Sequence, residues 1–152
     1  MKQLSTLVVA SHNAGKAREI EVLLAPLHIT VRSAAELHLP EPEETGASFE
    51  ANAELKAIAA ATTANMPALA DDSGLVIPAL DGAPGIYSAR WAGENKDFTV
   101  AMARVENELR AKGIEPNGTP AYFVSVLSLA EPDGSLVTVR GEAHGTLTFP
   151  AR

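Results

Sequence analysis

The sequence contains no cysteine, which excludes disulfide bonds, thiolate catalysis and zinc sites built on cysteine. Positive charge is scarce: 12 lysines and arginines stand against 19 aspartates and glutamates, the net charge is −7, and no basic run occurs. A surface that binds a nucleic-acid backbone is usually basic, so we expect no nucleic-acid polymer as a partner.

Long apolar runs are also missing. No segment approaches the roughly 20 apolar residues that a membrane-spanning helix needs, and the N-terminus carries one lysine without a signal-peptide cleavage pattern. We therefore expect no membrane partner and a cytoplasmic location. What remains, 46% hydrophobic and 20% charged residues in 152 positions, is typical of a globular chain, and we predict a single domain over residues 1–152.

The order of the predicted elements indicates an α/β fold. Continuous apolar runs predict strands covered on both faces, and apolar residues at helical spacing predict helices between them. A strand, helix and strand in succession favour a parallel crossover, and an Asp-Gly turn at 131–134 favours an antiparallel hairpin. We therefore expect an α/β domain with a mixed central β-sheet flanked by helices. Strands are predicted at 7–10, 29–31, 68–70, 74–77, 122–129 and 136–149; helices are predicted after a cap at Ser11 or Asn13 to about Leu27, from Thr45 or Ser48 to about Asn65, and from a cap at Asp97 to Gly113.

The first motif that could bind a ligand or take part in catalysis is SHNAGK, residues 11–16, between the first strand and the first helix. Backbone N–H groups at a helix start, with a lysine nearby, are suited to binding phosphate. The motif lacks the first glycine of a P-loop, and Ala17 stands where a Ser or Thr would hold magnesium. The alternative is a helix cap followed by a solvent-exposed lysine.

The second motif is EETGASFEANAELKA, residues 43–57. Glu44 lies just before the second predicted helix, and Asn52 and Lys56 share one side of that helix because they are four residues apart. The alternative is a solvated acidic loop followed by an ordinary amphipathic helix.

The third motif is ALADDSGL, residues 68–75, in which Asp71 and Asp72 follow a short apolar run. Two ionised carboxylates this close repel each other, and a divalent cation would compensate them. A turn that uses Asp, Ser and Gly is the alternative. Such a turn explains one aspartate better than two. Two aspartates at the end of a strand favour a ligand site, because α/β sheets place ligands at the carboxyl ends of strands. Mg2+ characteristically bridges carboxylates to substrate phosphates.

A fourth segment, GAPGIYSARWAG at residues 82–93, combines glycines with Tyr87, Arg90 and Trp91. It is either a loop that touches a ligand or a surface loop held in place by two aromatic side chains.

Taken together and in order, these segments resemble the inosine triphosphate pyrophosphatase family, which hydrolyses deaminated purine nucleoside triphosphates. SHNAGKAREI is similar to the Ser/Thr-x-Asn-x-x-Lys start of that family, EETGASFEANAELKA to its second block, and ALADDSGLVIPALDGAPGIYSARWAG to its third. The resemblance covers essentially the whole chain. It implies release of a nucleoside monophosphate and pyrophosphate from inosine or xanthosine triphosphate and their deoxy forms, with Mg2+ as cofactor and a homodimer as the assembly.

The resemblance also implies roles for individual residues. Asp72 would accept the proton of the attacking water, and Glu44, Asp71 and Asp72 would hold Mg2+. Lys56 would supply a second cation, and Ser73 would contact the substrate. The triphosphate would be bound by the first motif, chiefly through Asn13 and Lys16, within the set Ser11, His12, Asn13, Ala14, Gly15 and Lys16.

Members of that family are longer than this chain. After a strand similar to GEAHGTLTF they continue into a glycine-rich turn, a Phe-Gly-Tyr-Asp-Pro motif and a Ser-His-Arg segment that helps to bind the base, whereas this sequence stops at Arg152. We therefore expect this sequence to contain the part of the site that binds phosphate and metal, and not the part that binds the purine base. The alternatives are a non-catalytic nucleotide-binding or assembly module and an unrelated metal phosphatase that releases orthophosphate.

Overall fold

The structure is a computed structural model that describes residues 5–11, 14–43, 45–93 and 97–149. Its strands are β1 (Thr6–Val9), β2 (Thr30–Ser33), β3 (Ala68–Val76), β4 (Pro120–Ala130) and β5 (Leu136–Thr146). In the described part of the chain they form a five-stranded sheet with the order β2-β1-β3-β4-β5.

The sheet is mixed, as predicted. β1 is parallel to both of its neighbours, and Val9 lies opposite Ser33 of β2 and Leu69 of β3. β4 and β5 are consecutive neighbours joined by a tight turn, in which the Glu131 N–H donates to the Ser135 carbonyl at 2.9 Å. The Asp-Gly sequence therefore forms the predicted hairpin turn, with Gly134 at φ 97°.

Two of the helices begin at side-chain caps: one at Asp97, as predicted, and one at Ser48 rather than Thr45. The helices are α1 (Ala14–Leu24), α2 (Phe49–Ala64), α3 (Ser88–Trp91) and α4 (Phe98–Ala111). The Ser48 hydroxyl accepts the Ala51 N–H at the start of α2, and the Asp97 carboxylate accepts the Thr99 N–H at the start of α4. Each cap satisfies a backbone donor that the helix itself leaves without a partner. No helix within the described ranges is both long and apolar enough to cross a membrane.

The chain divides into two compact units. The first comprises residues 1–72 and 126–140, and the second comprises residues 73–125 and 141–152. The first unit has an alanine-rich core, in which the small side chains of α2 let the helix approach the sheet closely. The buried members of this core are Val8, Ala34, Leu39, Ala57, Ala60, Ala61, Ala68, Ala70 and Ala130.

The second unit is built around α4. Its core contains Ile77, Leu80, Val105, Leu109, Ala121 and Leu147. Trp91 packs against this core, and the Arg104 guanidinium lies 4.1 Å from the centre of its ring. In the fourth sequence segment, Trp91 therefore anchors the loop, while Tyr87 remains about half exposed.

Some predicted burial is wrong at helix ends. The apolar spacing of Phe98 with Met102 and Val105 predicts that Phe98 points inward, but it is 70% exposed, because contacts with the second core begin one turn later, at Met102. Leu23 and Leu27, which continue the apolar spacing of the first helix, are also largely exposed. Apolar spacing identifies these helices correctly but does not show how far along each helix the core extends.

The tight contact between α2 and the sheet gives a test of the packing. Ala57 is fully buried among other alanines, so Ala57→Leu should lower the free energy of unfolding by about 1–3 kcal/mol through overpacking. Thr62→Leu, at an exposed position of the same helix, is the matched control and should change it by less than about 0.5 kcal/mol. Urea denaturation of the three proteins measures both values. Equal stability of the two variants would contradict the packing described here.

Candidate functional site

Asp71 and Asp72 lie inside a strand. The sequence predicted that an apolar strand ends at Asp71 and resumes at Gly74, but β3 runs without interruption from Ala68 to Val76. That prediction is wrong because β3 is an interior strand of the sheet, between β1 and β4. Hydrogen bonds to neighbouring strands keep its backbone extended through residues that favour turns in isolation.

Because β3 is regular, its two aspartates point to opposite faces of the sheet. Successive side chains of a strand alternate between faces, and the burial of β3 alternates along its whole length. Asp72 shares the more buried face with Ala68 and Ala70, and Asp71 shares the other face with Leu69. The like charges are therefore separated by the strand itself.

Asp71 is paired with the lysine of the first motif. The Ala10 N–H donates to the Leu69 carbonyl at 2.8 Å, so the C-terminal end of β1 lies beside β3 just before Asp71. From the first turn of α1, the Lys16 Nζ reaches to 2.7 Å from the Asp71 Oδ2. The side chains are 37% and 15% exposed, respectively, so the ion pair is only partly accessible to solvent.

Asp72 lies on the face that α2 covers. Ala68 and Ala70, which share its side of β3, pack in the first core with Ala57 and Ala60 of α2. Asp72 is itself only 8% exposed. Burial of a carboxylate is costly unless other groups stabilise its charge, so this position favours a functional role over a solvated turn.

The loop before α2 is held by a buried amide. Asn52 is 1% exposed, and its Oδ1 accepts the Gly46 N–H at 2.8 Å. A Cβ at position 46 would lie 2.7 Å from both the Asn52 Oδ1 and the Ala51 Cβ. Gly46 therefore fits only as glycine, and the chain directly after Glu44 is fixed against the first turn of α2.

Contacts between α2 and β5 were not found by sequence reasoning. The Arg140 Nη1 lies 3.0 Å from both carboxylate oxygens of Glu50, and the Thr138 hydroxyl donates to the Glu54 Oε2 at 2.8 Å. The four-residue spacing of Glu50 and Glu54 was a signal for a shared helix face. The partners on β5 could be found only from the fold, because 84 residues separate Glu54 from Thr138 and 90 separate Glu50 from Arg140.

Other predicted site residues take the following places. Ser11 follows β1, Ala14 and Gly15 are in the first turn of α1, and Lys56 is in the middle of α2. Ser73 follows Asp72 in β3 and is the first residue of the second unit. Three predicted residues lie outside the described residues: His12, Asn13 and Glu44.

The donor chemistry fits a hard cation, but the described residues do not complete a site. Across residues 5–11, 14–43, 45–93 and 97–149, no three His, Asp or Glu side chains are grouped so as to hold a metal ion. The carboxylates of Asp71 and Asp72 are ligands of the type that Mg2+ prefers, and Mg2+ usually takes only one or two carboxylates with water and substrate phosphates completing its shell. The predicted magnesium site therefore stays a prediction that requires Glu44 and the substrate.

Fold and site together define a class of protein. It is an α/β protein with a mixed sheet in which, beside the end of the parallel strand β1, Lys16 pairs with Asp71 and Asp72 lies buried on the opposite face of β3. The end of β1 lies at the edge where α/β sheets place their ligands.

Comparisons with known proteins identify the family. The model of the Ham1 family matches residues 7–152. A dITP/XTP pyrophosphatase of Rhodospirillum centenum is 63% identical over 147 residues, covering 97% of this chain and 72% of the relative. The dITP/XTP pyrophosphatase of Rhodopseudomonas palustris is 57% identical, covering 96% of this chain and 70% of the relative. The chain therefore belongs to the Ham1 family, and the resemblance found in the sequence is confirmed.

Solved structures show the same fold. A HAM1 protein from Coxiella burnetii superposes with a TM-score of 0.88 at 36% identity, over 98% of this chain and 76% of that protein. A nucleoside-triphosphatase / dITP/XTP pyrophosphatase from Mycobacterium abscessus gives a TM-score of 0.77, also at 36% identity, over 93% of this chain and 73% of that protein. The predicted fold class, a mixed sheet flanked by helices, is confirmed.

The close contact at Gly46 gives a test of the loop. Gly46→Ala should lower the free energy of unfolding by about 1–3 kcal/mol, because the new methyl group overlaps Ala51 and Asn52. Gly145→Ala is the control, since a Cβ there meets nothing within 4 Å, and its effect should be below about 0.5 kcal/mol. Chemical denaturation provides the measurement. If Gly46→Ala is as stable as Gly145→Ala, the loop is not packed as described.

Proposed function

We propose that the chain hydrolyses deaminated purine nucleoside triphosphates, dITP, ITP and XTP, to the nucleoside monophosphate and pyrophosphate. The observation that carries the proposal is the ion pair of Lys16 with Asp71 beside the end of β1, with the buried Asp72 next to it in the same strand. The names of the relatives, dITP/XTP pyrophosphatase, supply the substrate class.

Binding of the triphosphate is assigned to cationic and N–H groups. The start of α1 presents backbone N–H groups beside Lys16, which is the arrangement that binds phosphate at helix N-termini. Lys56 of α2 supplies the second cation. Transfer of this kind depends mostly on positioning and neutralisation of charge, so cations that hold the leaving pyrophosphate contribute directly to the rate.

Asp72 is assigned as the proton acceptor. Water attacks the α-phosphorus, its proton passes to the Asp72 carboxylate, the bond from the α-phosphorus to the bridging oxygen breaks, and pyrophosphate leaves. Asp72 lies in a rigid strand and is 8% exposed, so its carboxylate is held in one place with little competing water. A positioned general base of this type typically accelerates a reaction by about 10²–10⁴-fold.

Glu44, Asp71 and Asp72 are the residues that the family resemblance assigns to Mg2+. Bound there with the substrate, Mg2+ would neutralise charge that develops on the phosphate oxygens. A cytoplasmic location and a homodimeric assembly complete the proposal.

Product analysis tests the activity directly. We expect pyrophosphate, and no orthophosphate, from dITP, ITP or XTP when Mg2+ is present, and no product without Mg2+; ATP is the comparison substrate. An enzyme-coupled pyrophosphate assay and ion chromatography measure the products. Orthophosphate as the product would favour a metal phosphatase instead. Binding of a triphosphate without any turnover would favour a non-catalytic nucleotide-binding module.

Replacement of the proposed base is the second test. Asp72→Asn removes the proton acceptor but keeps the size of the side chain, so kcat should fall by about 10²–10⁴-fold while the circular dichroism spectrum stays unchanged. Asp81→Asn is the matched control, because the Asp81 side chain is 94% exposed and belongs to no predicted site. A folded Asp72→Asn protein that turns over substrate like the control would contradict the assignment.

A further inference from the structure

Asp71 and Asp72 are neighbours in sequence but belong to different surroundings. Asp71 lies on the face of β3 that α1 reaches with Lys16, and Asp72 lies on the face that α2 covers. A single cation that took both carboxylates directly would have to bridge the two faces of a regular strand. The alternation of side chains makes that arrangement unfavourable.

The partner of Asp71 argues further against a cation at its carboxylate. The Lys16 ammonium is already 2.7 Å from the Asp71 Oδ2. A divalent cation bound at the same carboxylate would lie close to the lysine and would be repelled by it. Asp71 is therefore better suited to holding a positive side chain than to holding a metal ion.

The same ion pair gives Lys16 a defined position. Lysine has a long flexible side chain that loses much rotamer freedom when it is fixed in a complex. An ion pair in the free protein imposes that restriction before the ligand arrives, which improves binding. Because an ammonium has three N–H donors, Lys16 can keep its contact with Asp71 while it donates to a phosphate oxygen.

We infer that Asp71 is a positioning residue, which holds Lys16 ready for the triphosphate, and that the metal and proton chemistry belongs to Asp72 on the opposite face of β3. The two adjacent aspartates thus have different roles, one on each face of the sheet. This inference rests on the proposed function, because it specifies the site of that reaction, and it removes Asp71 from the set of magnesium ligands.

The first test measures metal affinity separately from activity. Mn2+ is the probe, and its binding with the non-hydrolysable α,β-imido analogue of dITP present is followed by electron paramagnetic resonance. Asp71→Asn should change the Mn2+ affinity by less than about threefold, whereas Asp72→Asn should weaken it by about tenfold or more, because losing even a group that only orients a metal ligand typically costs about 10–100-fold. Equal loss of Mn2+ affinity in both variants would overturn the inference.

The second test asks whether Asp71 acts through Lys16. Binding of the same analogue without metal is measured by calorimetry for Lys16→Met, Asp71→Asn and the double variant. If Asp71 only positions Lys16, the double variant should bind no more weakly than Lys16→Met, and the departure from additivity should be about threefold or more, as found for contacting pairs. If the affinity losses of the two single variants multiply in the double variant, the inference is overturned.

A third variant distinguishes loss of the carboxylate at position 71 from a folding defect caused by any substitution there. Asp71→Glu keeps the carboxylate and should retain analogue affinity closer to that of the unchanged protein than Asp71→Asn does. If Asp71→Glu binds the analogue as weakly as Asp71→Asn, the carboxylate does not hold Lys16 in the productive position. Failure of the unchanged protein to release pyrophosphate would count against the proposed function alone, since both binding tests are independent of turnover.

Discussion

The geometry of one β-strand determines how the charged groups of this protein are arranged. Neighbouring side chains of β3 point to opposite faces, so the two adjacent aspartates place one carboxylate on each side of the sheet. Asp71 meets Lys16 from α1, and Asp72 is buried on the side of α2. The repulsion expected of adjacent like charges is relieved by this separation and by the lysine, before any metal ion is considered.

The alanine-rich core makes the arrangement possible on the side of α2. Small residues on α2, β3 and β4 allow the helix to lie close to the strand that carries Asp72. The same helix holds the preceding loop through Asn52 and Gly46, and it is tied to β5 through Glu50 and Glu54. One helix therefore positions both the chain at Gly46 and the face of the sheet that contains Asp72.

Local signals allowed much of the fold to be predicted from the sequence. Asp97, the pair Thr45 and Ser48, and the Asp-Gly pair mark two helix starts and a hairpin turn in the sequence, because each signal depends on residues within a few positions. The interruption predicted in β3 was wrong, since pairing with strands distant in sequence overrode the turn propensity of Ser73 and Gly74. The sequence motifs indicated which charged residues belong together, but the ion pair of Lys16 with Asp71 spans 55 positions. The contact of Asn52 with Gly46 depends on burial that no sequence pattern displays.

Anomalous diffraction from crystals grown with Mn2+ and the α,β-imido analogue of dITP would show which aspartate binds the metal ion, because it locates the ion without reference to rates. The account predicts an anomalous peak at the carboxylate of Asp72 and none at Asp71, with the Lys16 ammonium still in contact with Asp71 and directed at the phosphates. A peak coordinated by Asp71, with Lys16 displaced from it, would contradict the account.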